Sequence, residues 1–490
     1  MAIPLLSAAL ALLLPWTAGT LLVARLLPGL AGQAPALALG YGYVVGFSLT
    51  IGLFWMLAYL TGGFQAGGVM LILAAVSLGL VASLHRRYRA WFEAWCSLPR
   101  RIRAMNRWAL LLVFGLIALI GVRWLGLLVD VSLRPVFAWD AFTAWTLKAH
   151  SMFASDRLLD FVDQLHWLKA PTDPTVQHAM GHHYPLFVSL VQVWMADATG
   201  QWHEAWVNLP WPFLWLSMML VVFGQLRVAG VTLLVALLGA YLLASLPLLS
   251  THALLGGYAD LWLTAFFGAA TLALWQALFN REYRQLVLLI LVLPVLLVTK
   301  NPNPTGMVLL MWLPLLWWAW VIRQPRLAGS AAVIAVPVVL GCLIAGCLEA
   351  LFGPGISELL PKPENFPPTL TVLYHGAFNH ANWHLLPLAM LLALLVSIAM
   401  PFRVGAGPAF RSGLLALAVF TLAALVIYLL VFSMPLIHPH IENFTLAQRA
   451  LLYIAMPTVV WCALALHEDL KTSPWSRRLQ LPANQYASGA

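Results

Sequence analysis

WALLLVFGLIALIGVRWLGLLV, residues 108–129, carries a single charge, Arg123. At about 1.5 Å per residue, a helix of that length crosses a hydrocarbon core of roughly 30 Å. Strands of a membrane barrel would be shorter and would alternate apolar with polar residues, which this run does not. Runs like it recur throughout the 490 residues, of which 62% are hydrophobic and 9% charged. A soluble domain carries roughly 25% charged residues. The expected fold class is therefore an all-α polytopic membrane protein.

Working outward from that run, candidate spans are 3–26, 36–61, 66–84, 108–129, 204–225, 228–249, 259–279, 286–300, 305–322, 328–351, 385–402, 413–434 and 448–466. The apolar stretch 184–198 is too short to cross and is expected to be a re-entrant or interfacial helix in the first large outer loop. The N-terminus lacks the basic region of a secretory leader and is expected to be a retained first span. With 85–107 inside, 18 of the 26 Lys and Arg fall inside, but only four of the 17 acids: Glu93, Glu282, Glu468 and Asp469. That bias favours thirteen spans with the N-terminus outside and the C-terminus inside. Three regions follow. Residues 1–107 hold extra helices and a basic cytoplasmic loop. Residues 108–320 form a module with an outer loop at 130–203. Residues 321–490 carry outer loops at 353–384 and 435–447.

The net charge of +9 does not point to nucleic acid, because seven arginines sit together in HRRYRAWFEAWCSLPRRIRAMNR, a loop obeying the positive-inside rule. The four cysteines, Cys96, Cys342, Cys347 and Cys462, lie on spans or on the inner side and give no disulfide framework. No Walker loop, dinucleotide fingerprint, HExxH or GxSxG is present, so nucleotide-driven and hydrolase classes gain no support.

Charged residues at the outer ends of spans are the candidates for chemistry. Asp140 lies in RPVFAWDAFTAWTLKAH, residues 134–150, with Trp139 and Trp145 on either side and Lys148 beyond. It is expected to cap the helix AFTAWTLKAH, and a cap can also serve as a base. Its flanking tryptophans suit a sugar or lipid headgroup. Asp260 opens a span after a glycine turn in GGYADLW, either as a cap or facing a cavity. Lys300 ends an apolar run before NPNP, either snorkelling to the interface or holding a phosphate. Arg449 in FTLAQRALL is a second phosphate-clamp candidate. His182, His183 and Tyr184 open the short helix, and Glu204 starts the next span. His438, His440 and Glu442 in IHPHIENF are weak candidates for a divalent ion.

The order of these elements resembles polyprenyl-phosphate-dependent glycosyltransferases of the GT-C fold, which include protein O-mannosyltransferases and lipid A aminoarabinose transferases. WDAFTAW resembles the acid of their first outer loop. HHYPLFVSLVQVWMADATG resembles the segment opened by an HPP-like motif, although it reads YPL here. EAWVNLPWPFLW from Glu204, GYADLWL at Asp260, TKNPNPTG at Lys300 and LAQRALLYIAMP at Arg449 follow in order. The resemblance implies a GT-C fold with its site on the outer face of a bacterial inner membrane. It also implies a polyprenyl-phosphate-linked sugar as donor and a glycolipid, glycan or protein as acceptor, with Asp140 as general base. Lys300 and Arg449 would then hold the leaving phosphate, and Asp260 would orient the acceptor or sugar. Lys148, Trp139, Trp145, His182, His183, Tyr184 and Glu204 would line the substrate. No cofactor is implied, and a divalent ion is compatible.

Two other classes stay open from the sequence. An O-antigen polymerase or ligase type would use 353–384 with His375, His380 and His384, although Lys362 is the sole basic residue there. A transporter or lipid flippase would want internal repeats and binding groups at mid-membrane, and only Arg123 and Glu349 lie deep in spans.

Overall fold

The computed structural model describes residues 2–84, 96, 106–169, 173–300, 310–323, 360–380, 382–399, 408–441 and 444–472. Among them eight helices are long and apolar enough to cross a membrane, so the chain is a helical, multi-pass membrane protein. The candidate span 328–351, the basic loop around 85–105 and Glu442 lie outside the described residues.

The chain opens with α1 (Ala2–Leu26), α2 (Pro35–Thr61) and α3 (Ala66–Leu84). Proline at its first position starts α2, where a missing N–H costs nothing, and Gly62 ends it in the left-handed conformation (φ 79°). Glycines let α2 lie against its neighbours at backbone distance. A Cβ at Gly19 of α1 would sit 2.0 Å from the Gly42 carbonyl oxygen, and one at Gly40 would sit 2.6 Å from the Val221 nitrogen. Small residues at such crossings are how helices associate where lipid removes the hydrophobic drive between them.

Next come α4 (Arg107–Leu133), started by an Asn106 side chain that accepts from the Trp108 N–H, and a wide π turn at Ala141–Trp145. This turn runs into α5 (Thr146–Ser155), and beyond it lies α6 (Phe187–Thr199). Between α5 and α6, β1 (Asp160–Val162) pairs in parallel with β2 (Val176–His178), Phe161 opposite Gln177. With three residues in each strand, the ladder leaves the fold all-α. Between the strands lies a short helix, Gln164–Lys169, and the ladder satisfies backbone groups at its base. At thirteen residues α6 is too short to cross, as expected. It is enclosed by protein, and Trp194 donates to the Ala11 carbonyl at 3.0 Å.

α7 (Pro210–Val228) follows, starting later than the expected 204 because Trp206–Asn208 forms a tighter turn ahead of Pro210. The span expected at 228–249 is instead two helices, α8 (Leu233–Ala244) and α9 (Pro247–Leu254), meeting at 61°. Pro247 cannot continue the hydrogen-bond ladder of α8. Then come α10 (Asp260–Phe279), α11 (Leu286–Leu297), α12 (Trp312–Val321), α13 (Phe366–Tyr374), α14 (Leu386–Ala399) and α15 (Pro408–Phe432), and finally α16 (Thr445–Leu451) and α17 (Ala455–Thr472).

The centre of the bundle is α10, where every residue except Leu278 is buried. Tyr41 of α2 donates to the Ala269 carbonyl of α10, and Tyr43 to the Pro210 carbonyl of α7, both at 2.7 Å. α2 is therefore part of the packing that encloses α10. By contrast α4 presents Leu111, Phe114, Leu119, Val122 and Leu125 outward, as a lipid-facing helix does.

Candidate active site

Four charged residues far apart in sequence meet at one end of the bundle. Asp260 is the first residue of α10, where the positive end of the helix dipole favours an acid. Its Oδ1 accepts from the Lys300 ammonium and from the Tyr453 hydroxyl at 2.7 Å. Its Oδ2 accepts from Arg449 Nη2 at 2.8 Å and from Nε at 3.2 Å. The same guanidinium reaches across with Nη1 to Asp140 Oδ2 at 2.8 Å. Tyr453 also receives a hydrogen bond from Lys300 at 3.2 Å, and the guanidinium lies 5.0 Å from the centre of the Tyr258 ring.

The cluster is graded from solvent to interior. Side-chain exposure is 36% for Asp140, 21% for Arg449, 9% for Lys300 and zero for Asp260. Two acids match two cations, which is what a buried charged group requires. Asp140 is thus the accessible member, and Arg449 links it to the buried pair.

The local structure explains the placement. Asp140 does not cap a helix: its backbone is already helical and its side chain makes no cap hydrogen bond. The carboxylate is turned to Arg449 instead. Asp260 is held in place by a glycine turn, because Gly257 adopts φ 91° and a Cβ there would lie 2.8 Å from Thr146 Oγ1. Against that turn Gln192 donates to Thr146 Oγ1 (2.9 Å) and Asn208 Oδ1 (2.7 Å), and Trp211 donates to the Tyr258 carbonyl at 3.0 Å. Burial and the neighbouring Asp140 push the Tyr258 hydroxyl above its ordinary pKa. Burial does the same to Tyr184, again with Asp140 adding to it.

Other expected substrate residues take structural places. Trp145 is buried and stacked on Tyr184, with centroids 4.9 Å apart, so it offers no open platform. Trp139 is exposed and meets Phe142 edge to face. Lys148 is buried, and its ammonium donates to the Tyr184 carbonyl at 2.8 Å and the His182 carbonyl at 3.4 Å. It ties down the His182–Tyr184 turn rather than facing the charge cluster, and burial pushes its pKa down to about 8. His182 and His183 cross edge to face at 5.1 Å; desolvation, then His182 and Lys148, lowers His183. Glu204 accepts from Trp202 Nε1 at 2.8 Å and opens no helix. His438 is spent on the Phe432 carbonyl at 3.2 Å. With Glu442 outside the described residues, no group of three ligating side chains occurs among those described.

The sequence reading missed Tyr453, Tyr258, Gln192 and Asn208. It also missed an apolar groove of about 500 Å³ between α13, α14, α15 and α17, lined by Leu373, Met390, Leu425, Ile454 and Trp461 among others. Its lining includes Leu451, two residues from Arg449 in sequence. Comparison of the chain with family models, with curated proteins and with solved structures returns no match.

Proposed function

We propose that this protein is a glycosyltransferase of GT-C type with thirteen spans, working at the outer face of a bacterial plasma membrane. Its donor is a sugar on a polyprenyl phosphate, and its acceptor is a hydroxyl of a glycolipid, glycan or protein. One observation carries the reading: an accessible carboxylate, Asp140, is joined through Arg449 to a buried Asp260–Lys300 pair. A carboxylate beside a cation supports a reading in which one serves as base and the other binds an anion.

The reaction requires both. Asp140 takes the proton of the acceptor hydroxyl as its oxygen forms a bond to C1 of the sugar. The C1–O bond to the phosphate breaks, and its electron pair leaves on the polyprenyl phosphate. Arg449, backed by Lys300, stabilises that developing charge, and fixed cations in a partly dry site suit the task. A single displacement of this kind inverts C1. The apolar groove lined in part by Leu451 and Ile454 supports a donor with a long hydrocarbon tail.

The test is transfer by the full chain in lipid nanodiscs, offered a panel of polyprenyl-phosphate sugars and glycolipid acceptors. The native protein is expected to be thermally stabilised by one donor and to turn it over. Asp140→Asn is expected to keep donor binding and to lose about 10²–10⁴-fold in rate, the span typical of a positioned general base. If no polyprenyl-phosphate sugar binds or is consumed, the reading is wrong.

A further inference from the structure

In the resting site both cations are already occupied by carboxylates. An anion that draws on the charge of Arg449 therefore competes with an acid, and the geometry identifies which one yields. Asp260 has no exposed surface and meets three residues, Lys300, Arg449 and Tyr453. Asp140 is partly exposed and meets Arg449 through one oxygen at one nitrogen, Nη1. Breaking the first arrangement would strand a buried ammonium, which is strongly unfavourable. Breaking the second frees one partly solvated contact, worth at most about 1 kcal/mol.

We infer that a phosphate oxyanion enters this site by displacing Asp140 from Arg449, so that binding of the anion is what frees the Asp140 carboxylate to accept a proton. The inference rests on the proposed function and adds an order of events to it. Without the phosphate, Asp140 is held by Arg449 and its Oδ2 is engaged. With the phosphate on Nη1, the count of charges beside the cations is unchanged, and Asp140 turns to the acceptor with both oxygens open. A neutral ligand has no claim on Nη1 and leaves the ion pair closed. Acceptor chemistry without a bound donor is suppressed by the same contact.

The experiment uses the full chain in nanodiscs and three probes: farnesyl phosphate, inorganic phosphate and farnesol. Binding is measured for the native protein, for Asp140→Asn and for Asp140→Ala, with melting temperatures to show that each variant is folded. Removing the competing carboxylate is expected to tighten both phosphates by about two- to fivefold, the equivalent of an exposed ion pair, and to leave farnesol unchanged. The lipid phosphate is expected to bind tighter than the free one in every form. If the native protein binds farnesyl phosphate and both variants bind it equally or more weakly, displacement is refuted while the transferase reading stands. If the native protein binds no phosphate at all, the transferase reading fails and the inference fails with it.

Discussion

Asp260 and Asp140 share one arginine, yet their loss should differ several-fold in stability. Asp260→Asn keeps the shape of the side chain and removes its charge from a position with no solvent exposure. Lys300, itself buried, then loses its carboxylate, and Arg449 keeps only Asp140. Stranding one member of a buried pair costs about 3–5 kcal/mol. Asp140→Asn removes a contact that is 36% exposed on the acid side and should cost about 0–1 kcal/mol. The double variant Asp260→Asn/Lys300→Met removes the stranded ammonium as well. It should be less destabilised than the sum of its single variants by about 1–3 kcal/mol, the coupling expected of residues in direct contact. The assay is denaturant unfolding in mixed micelles for the native chain, the single variants and the double. Equal costs for the two aspartates, or strict additivity of Asp260 with Lys300, would refute the account of a buried pair with an accessible outer member.

Two further outcomes follow from residues around the cluster. Lys148 is pushed down to about 8 from 10.5 by burial, so between those values the unfolded chain holds more protons than the folded one. Stability should therefore rise with pH from about 8 to 10.5, and Lys148→Met should abolish that slope in unfolding curves collected across the window. At Gly257 the left-handed backbone and the nearness of Thr146 and Gln192 leave no space for a methyl group. Gly257→Ala should cost about 1–3 kcal/mol in unfolding free energy, and it should weaken farnesyl phosphate binding, because Tyr258 and Asp260 move with the turn.

Much of the site was legible because charge is scarce in this chain. Asp140, Asp260, Lys300 and Arg449 were each conspicuous as ionisable residues at the ends of apolar runs, and all four converge. Their pairing was not legible, since hydropathy says where helices begin and end but not which ones adjoin. Tyr258 and Tyr453 gave no signal, because tyrosine is ordinary at membrane interfaces. Gln192 and Asn208 did give one: each is a neutral polar residue in an apolar stretch, and burying such a group demands a partner. Trp145 and Lys148 were misplaced for one reason. Nearness to Asp140 in sequence does not say which element packs on each side chain, and here that element is the His182–Tyr184 turn. Trp145, five residues on, turns inward to Tyr184, and Lys148 follows the same inner side.

α2 bears on the charge cluster through α10. Sequence gave α2 no role, because its length and apolar character are those of any span. In the fold, Gly40 lets its backbone press on α7, and its tyrosines donate to the carbonyls of Pro210 and Ala269. Tyr43, Phe47 and Trp262 then form an aromatic contact at the first turn of α10, the turn that carries Asp260. The Asp260 carboxylate is thus fixed from two sides, by the glycine turn before it and by α2 beneath it. A buried acid between two cations is tolerable only if its geometry is held, because a small displacement loses Coulomb attraction without regaining water. Rigidity at Asp260 is also what makes Asp140 the member that moves. The inner pair anchors Arg449, and the outer carboxylate, resting on a π turn with a single contact, can leave.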